Sequence, residues 1–390
     1  MSTHNFVSYH MHTWYSLLDS CTSPESYIKR AAELNMKAIC FTEHGNLYNW
    51  YEKLRLCKQY GLKYLHGIEC YITASHVPKV RDNMHTILIA KNMEGFTEIN
   101  RLCFLASQPD HFHYKPRLSI DEFLNISDNV IKISACIQSP LWKMQDNPEI
   151  MDKLLHKYDY YEVQYHAFED NLKYTEQLCQ YAKKYNKPLI AGTDTHNLDR
   201  YKAECRTILQ YGKTENAWGD SENECDLTFK TYDQLVEAFI SQGVMDSSII
   251  LKAIENTNVM ADSCEEIMID THDKYPYLYG DKDEKVLWDV LHKNYEDKLR
   301  RGVISDDPQY LANINEEMAV FKKVNMIGFM LFMSEMMTWA KEQHIATGFS
   351  RGSVSGSTVA FISNITDVDP IRWHTIFSRF CNEYRVEAGD

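Results

Sequence analysis

The sequence contains no C-x-x-C pair, and its eleven cysteines are odd in number and share no repeated spacing. Neither a disulfide framework nor a zinc ribbon is signalled by that pattern, and a reducing cytosol suits it best. Long apolar runs are also missing. The start, MSTHNF, has no charged stretch leading into an apolar one, and the most apolar segment, around residues 326–340, is interrupted by Glu335. A soluble protein that is not exported is therefore expected. Positive charge is scarce: 41 Lys and Arg stand against 55 Asp and Glu, a net charge of −14. Freestanding nucleic-acid binders usually rest on clustered Lys and Arg, so that class is disfavoured. A nuclease is not excluded, because bound divalent cations would offset much of the local negative field. Hydrophobic content of 44% and charged content of 25% argue against long disordered stretches, and 390 residues suit two domains.

What the chain does have is a succession of metal-binding side chains where predicted strands end. In order they are His10, His12, Asp19, His44, Glu69, His85, Cys136, Asp194 and His196. Alternate residues of a strand share a face, so the His-x-His pair at 10 and 12 and the Asp-x-His pair at 194 and 196 each aim two donors at one point. One deep polynuclear metal site is the economical reading. Taken singly, each histidine is more simply a core or surface residue and Cys136 a small buried hydrophobe; the joint pattern is what carries the reading.

β-type runs fall at residues 6–10, 38–42, 64–72, 86–90, 130–135, 160–165 and 188–193, separated by stretches long enough for helical crossovers. Ser23-Pro24-Glu25 offers an N-cap, a proline at the first helical position and an acid in the first turn, ahead of Tyr27, Ile28, Ala31 and Leu34. Alternating strands and helices indicate a parallel α/β architecture. Seven units suggest a barrel, and donors at successive strand ends favour it over an open sheet, since a barrel gathers those ends around one site. His85 fits least well, because it comes just before its run.

Six segments then resemble a known family. YHMHTWYSLLDS, FTEHGNLYNW, HGIECYIT, HTILIAKN, ISACIQSPL and AGTDTHNL are similar to the successive motifs of the polymerase and histidinol phosphatase (PHP) domain, in the version at the N-terminus of the bacterial, C-family DNA polymerase III alpha subunit. Further on, IATGFSRGSVSGSTVAFISNITDVDPIRWHTIFSRFCNEYRV is similar to the start of that polymerase's palm. The resemblance covers nearly the whole chain. It implies a distorted seven-stranded α/β barrel over residues 1–270, followed over 271–390 by an incomplete palm. It also implies two or three divalent metal ions and 3′ to 5′ exonuclease proofreading at a primer 3′ end.

Carried over residue by residue, the nine donors named above occupy all nine of the family's ligand positions, with Asp19, Glu69, Asp194 and His196 as the catalytic core. Glu43 departs from the pattern, standing where the family usually has Asp before His44. Phosphodiester hydrolysis needs a nucleophilic hydroxide at neutral pH and charge stabilisation on the phosphate, and clustered divalent ions supply both. Imidazoles and a thiolate favour zinc, while the carboxylates also accept manganese or magnesium, so the metal stays open. Glu69 and Asp194 are the expected bridging carboxylates. His166 and Glu162 are read either as partners that orient ligands or as simple packing. His66, His76, His111 and His113 match no ligand position and are read as surface residues.

Beyond residue 270, residues 308–343 look helical, with Leu311, Ile314, Met318, Phe321 and Val324 at helical spacing. The Gly-rich stretch that follows would let backbone N–H groups approach a phosphate. In the polymerase family the matching loop contacts the incoming nucleotide, which makes Arg351, Gly352, Ser353, Gly356 and Ser357 nucleotide-binding candidates. Asp390, the last residue, aligns with the first of the family's three catalytic aspartates. The chain alone is therefore not expected to polymerise DNA, and a second chain supplying the rest of the palm, thumb and fingers is an expected partner. A natural split or a fragment is favoured over a shortened descendant. The resemblance places the protein in the cytoplasm of a bacterium, encoded there or by a virus. Two other functions remain in view: a metal-stabilised scaffold without catalysis, and a small-molecule phosphoesterase of the histidinol phosphatase type.

Overall fold

In the computed structural model, residues 5–76, 80, 82–211, 225–272, 277–382 and 384 are described. The chain falls into two compact units, Met1–Ile269 and Asp270–Asp390.

The first unit is a distorted barrel of seven extended segments. Strand β1 (Ala38–Phe41) pairs in parallel with β2 (Lys63–Thr73), which pairs antiparallel with β3 (Met84–Ala90), itself antiparallel to β5 (Val130–Ile133). A short strand, β4 (Arg117–Ser119), attaches to the end of β2 outside this path. Single bridges carry the ring onward. Ile133 bridges Tyr160 beside β6 (Tyr161–Val163), and β6 is parallel to β7 (Leu189–Ala191). Just past β7, Thr195 N donates to His10 O at 3.0 Å and His12 N to Thr195 O at 2.8 Å, while Cys40 N donates to Ser8 O at 3.1 Å on the other side. Residues 6–12 thus close the barrel between β7 and β1, through bridges rather than as a regular strand.

The orientation of β3 resolves the misfit of His85. Its six companions in the ring run one way and β3 runs the other, so the N-terminal end of β3 lies at the same rim as their C-terminal ends. Residues spaced by two line the interior: Val7 and Tyr9, Ala38 and Cys40, Ile87 and Ile89, Ile131 and Ile133 belong to one buried cluster. Glu69 and His85 extend the rows of Leu65 and Ile87 toward the rim. The opposite end is covered by helix α10 (Ser247–Asp262), whose Met260 and Ala261 join that cluster and whose Ala261 carbonyl accepts from Lys63 Nζ at the start of β2, 2.9 Å away.

Helices α1 (Pro24–Glu33), α2 (Trp50–Gln59), α3 (Met93–Ala106), α4 (Ile120–Leu124), α5 (Pro140–Lys143), α6 (Pro148–Lys157), α7 (Glu169–Tyr185), α8 (Arg200–Tyr211) and α9 (Tyr232–Gln242) complete this unit among the described residues. The expected start of α1 is present: Ser23 is the N-cap, its side chain accepting from Ser26 N, with Pro24 first in the helix. Helix α4 begins with a capping box in which Ser119 and Glu122 satisfy each other's backbone N–H groups.

The second unit is helical among its described residues: α11 (Asp283–Arg300), α12 (Gln309–Lys323), α13 (Ile327–Glu342) and α14 (Thr358–Ile362). The helix expected over 308–343 is two helices. Asn325, at φ 56, turns the chain between them, a conformation Asn tolerates better than most residues. Ile314, Met318 and Phe321 are core as their spacing predicts and Val324 packs against them, whereas Leu311 is exposed and Tyr310, beside it, takes the buried place. Among the described residues no helix is long and apolar enough to cross a membrane.

Candidate metal centre

The nine donors converge at the rim. His10 and His12 leave residues 6–12, Asp19 follows in the next loop, and His44 lies just past β1 where it bridges Glu69 of β2. His85 opens β3, Cys136 follows β5, and Asp194 and His196 follow β7. Three of the turns that present them hold non-glycine residues in the left-handed region, Leu18 at φ 64 before Asp19, Ala135 at φ 60 before Cys136 and Asp194 itself at φ 44. Such conformations cost energy and persist where surrounding structure holds them.

Asp194 Oδ1 sits 3.2 Å from His10 Nε2, 3.3 Å from His12 Nε2 and 3.6 Å from His196 Nδ1. Asp19 Oδ2 lies 2.9 Å from His44 Nε2 and 3.3 Å from His196 Nε2. Glu69 bonds to His44 and lies 2.8 Å from His85 Nδ1, which is 3.7 Å from Cys136 Sγ. Three triads have one donor atom each within 4.8 Å of the others: His12–His44–His196, His10–His12–Glu69 and Glu69–His85–Cys136. His12 and Glu69 each belong to two of them, and Asp194 reaches three histidines.

The protein determines which nitrogen His10 and His12 offer. Glu162 Oε1 accepts from His10 Nδ1 at 2.7 Å, leaving Nε2 toward the centre. Ser16 Oγ donates to Glu43 at 2.7 Å, so its lone pair receives His12 Nδ1–H at 2.9 Å and His12 Nε2 also faces inward. Both Nε2 atoms are buried without a hydrogen-bond partner. A buried acceptor left so is costly unless something occupies the space before it. Two such atoms beside Glu69 and Asp194 fit a bound divalent cation, whose histidine ligands characteristically give their other nitrogen to a carboxylate or hydroxyl.

Burial first, then the neighbouring His44 and His196, hold the His12 imidazole down to about 3, neutral and able to ligate at pH 7. Burial raises the Cys136 thiol well above its ordinary range, and Asp194 and Glu69 raise it further. Burial alone would raise Asp19, but His196, His44 and Arg206 together hold its carboxyl well below the usual range.

Two supporting residues, Arg206 and Gln210, carried no sequence signal. Arg206 on α8 donates through NH2 to Asp19 Oδ1 at 2.6 Å and through Nε to Asp19 O at 2.8 Å, and Gln210 reaches the same carboxylate at 3.2 Å. Glu43 is buried, accepting from Thr13 N, Thr13 Oγ1, Ser16 Oγ and, at 2.7 Å, from Lys53 Nζ. Of the two readings open for Glu162, the bond to His10 selects the orienting one. His166 is buried and lines the cleft.

His66 is not a surface residue: it is fully buried, its ring 4.3 Å from that of Phe96 and its Nδ1 3.1 Å from Tyr64 Oη. Its position inside β2, on a strand whose both faces are covered, is the reason. His76 and His111 are partly buried and lie together, away from the nine donors; His113 is half-buried.

Seven of the nine donors, all but the fully buried His10 and His12, form the floor of a cleft of about 740 Å³, whose walls include Tyr71, Lys115, Trp142, Lys143 and Phe168. In the second unit, Arg351, Gly352 and Ser353 are exposed. Gly356 and Ser357 are buried. A Cβ on Gly356 would come within 2.4 Å of Ile376 O, and Ser357 Oγ donates to Glu317 at 2.6 Å while capping α14. The structure therefore separates the five nucleotide candidates into three that face solvent and two committed to the core. Asp390 lies outside the described residues.

A barrel closed by parallel and one antiparallel strand, with this ring of His, Asp, Glu and Cys donors at its rim, is that of a PHP domain, and the PHP domain family matches residues 8–169. The Bacterial DNA polymerase III alpha NTPase domain family matches residues 284–390. Along nearly its whole length the chain is similar to DNA polymerase III alpha subunits, and its first unit carries the PHP domain match. It is 30% identical over 414 residues to the DNA polymerase III subunit alpha of Aquifex aeolicus, covering 99% of this chain and 36% of that protein. It is 28% identical to that of Borreliella burgdorferi, covering 99% of this chain and 34% of the relative. The chain thus spans about a third of the length of these relatives. Among solved structures, endonuclease Q in complex with a duplex bearing an abasic lesion is similar over 49% of each chain, at 15% identity and a TM-score of 0.34.

Proposed function

We propose that the first unit is a metal-dependent phosphodiesterase acting at the 3′ end of a DNA strand, a 3′ to 5′ exonuclease. The observation that carries this reading is the pair of partnerless buried Nε2 atoms, on His10 and His12, facing Glu69 and Asp194 at the floor of an open cleft. His10, His12, Asp19, His44, Glu69, His85, Cys136, Asp194 and His196 would hold two or three divalent ions, zinc, manganese or magnesium. Bound there, such ions supply activation of water and charge neutralisation on the phosphate.

The remaining work belongs to the chain. Glu162, Ser16 and Arg206 hold His10, His12 and Asp19 in register, so the donors need not reorganise when a substrate enters. Lys115 and Lys143 stand on the walls where strand phosphates would pass, and Trp142 and Phe168 offer faces for a terminal base. With net charge −14, these local contacts rather than a basic surface would hold the strand. In the second unit, Arg351, Gly352 and Ser353 remain the residues able to meet a nucleotide phosphate. Polymerisation would require a second chain bringing the rest of the palm, thumb and fingers, and the setting is the bacterial cytoplasm.

The test is degradation of a 5′-labelled single strand and of a 3′-mismatched primer–template by the purified chain in manganese or zinc. Stepwise shortening, absent with Asp19→Ala, is the expected result. Full activity in Asp19→Ala overturns the assignment, and no shortening by a metal-loaded chain favours a scaffold.

A further inference from the structure

His76, His111 and Glu122 come from three separate places in the chain: the segment after β2, the loop after α3, and α4. In the fold they meet. His111 Nε2 lies 2.8 Å from Glu122 Oε1 and His76 Nε2 lies 3.4 Å from Glu122 Oε2, with the two imidazole centroids 4.3 Å apart. One donor atom from each falls within 4.8 Å of the others. None of the three takes part in the nine-donor network.

Two further features point to a cation. Asp110 Oδ1 is 2.8 Å from His111 Nδ1. Burial lowers the His111 imidazole, but Asp110 and Glu122 outweigh it and raise it above its ordinary range. In the neutral form, with Nδ1–H donated to Asp110, Nε2 would turn its lone pair toward Glu122 Oε1, where a cation would take the place of the second proton. A carboxylate on one ring nitrogen and an open lone pair on the other is the arrangement of a metal-ligating histidine. His76 supplies the second feature: its Nδ1 is shut off from solvent with no hydrogen-bond partner, so no hydrogen bond there fixes the ring's tautomer, and Nε2 beside Glu122 can serve as a ligand. Glu122 is meanwhile held by the α4 capping box, its Oε2 accepting from Ser119 N at 2.7 Å and Ser119 Oγ at 2.9 Å. Its carboxylate is therefore positioned before any ion arrives.

We propose that His76, His111 and Glu122 form a second divalent-cation site, selective for a borderline metal such as zinc and separate from the cleft. Two imidazoles and one carboxylate make a donor set suited to zinc, with water completing four-coordination. Its role is structural. Nearby, Asp82 accepts from Ala74 N at 2.8 Å and Arg117 donates to Val80 O at 2.7 Å. Asp82, Asn83 and Met84 then form part of the cleft wall. An ion on His76, His111 and Glu122 fastens this wall to α4 and to the loop after α3.

The test begins with the full chain carrying His12→Ala, Glu69→Ala and Asp194→Ala, which together break all three triads of the cleft. After zinc loading and dialysis it should retain about one equivalent of zinc by mass spectrometry, lost when His76→Gln and His111→Gln are added. The unsubstituted chain gives an independent reading through carbethoxylation of histidines by diethyl pyrocarbonate. Zinc should shield His76 and His111 while His156 and His272, with side chains 65% and 95% exposed, react as before. Equal reaction of His76 and His111 with and without zinc means that a protonated His111 merely bridges two carboxylates, and overturns the proposal. So does a cleft-disabled chain that folds and retains no zinc.

Discussion

His10, His12 and His196 each commit one ring nitrogen to the protein, to Glu162, Ser16 and the Asp194 carbonyl respectively, and so reserve the other for the centre. Asp19 depends in the same way on Arg206. Replacing Arg206 by Ala should lower metal affinity about 10- to 100-fold with the far-ultraviolet circular dichroism unchanged, as read by competitive zinc titration. Unaltered affinity would show that Asp19 holds its place unaided. Lys53 and Glu43 form a buried ion pair, their side chains 3% and 1% exposed. Lys53→Ala leaves Glu43 charged and uncompensated and should cost about 3–5 kcal/mol of stability, measured by urea unfolding. Strand periodicity pairs His10 with His12 and Asp194 with His196, and the other five donors were legible from their places near predicted strand ends and from the resemblance to the PHP motifs. Arg206 was not, since 187 residues separate it from the carboxylate it holds and no local pattern links them. Glu43 drew notice as a departure from the family, but its partner on α2 emerges only when the helix packs against the barrel.

At the scale of elements, Gly192 after β7 sets how near the chain passes to β6. A Cβ there would lie 2.2 Å from the Glu162 carboxyl carbon, so Gly192→Ala must displace the side chain that orients His10. We expect it to weaken metal binding about 10-fold or more while Glu162→Gln, which keeps the shape, weakens it less; equal affinities of Gly192→Ala and the unsubstituted chain would exclude this coupling. In the second unit, Glu317 of α12 accepts from Ser357 Oγ, Thr358 N and Val359 N at the start of α14. Glu317→Ala leaves those buried donors unsatisfied and should destabilise by on the order of 3 kcal/mol, seen as a lower midpoint in denaturant. Most strands were legible as apolar runs, and α1 from its cap. The direction of β3 was not, because alternating apolar residues read alike both ways along a strand, and only His85 preceding its run hinted at the reversal. Three-residue β4 is too short to leave a pattern, and the break at Asn325 is hidden inside a continuous helical periodicity.

At the scale of the whole molecule, a ring of donors at one rim means that cation binding and barrel stability are linked. Chelation should lower the thermal transition of residues 1–269 by several degrees in calorimetry and leave that of residues 270–390 in place; a uniform shift would mean the two units unfold as one. The barrel was legible from seven strand-like runs with donors at their ends, while its means of closure was not, because bridges such as Met11 to Thr195 leave no regular strand to detect. That closure joins His10 and Thr193, which lie 183 residues apart. During synthesis at the usual 5–20 residues per second, the N-terminal His-x-His pair therefore waits on the order of 10–40 s for the segment that completes the ring. Through that interval the ribosome-bound chain presents His10, His12, His44 and Glu69 as an open, unfinished chelator, and the cell's free metal at that moment has the first opportunity to occupy it.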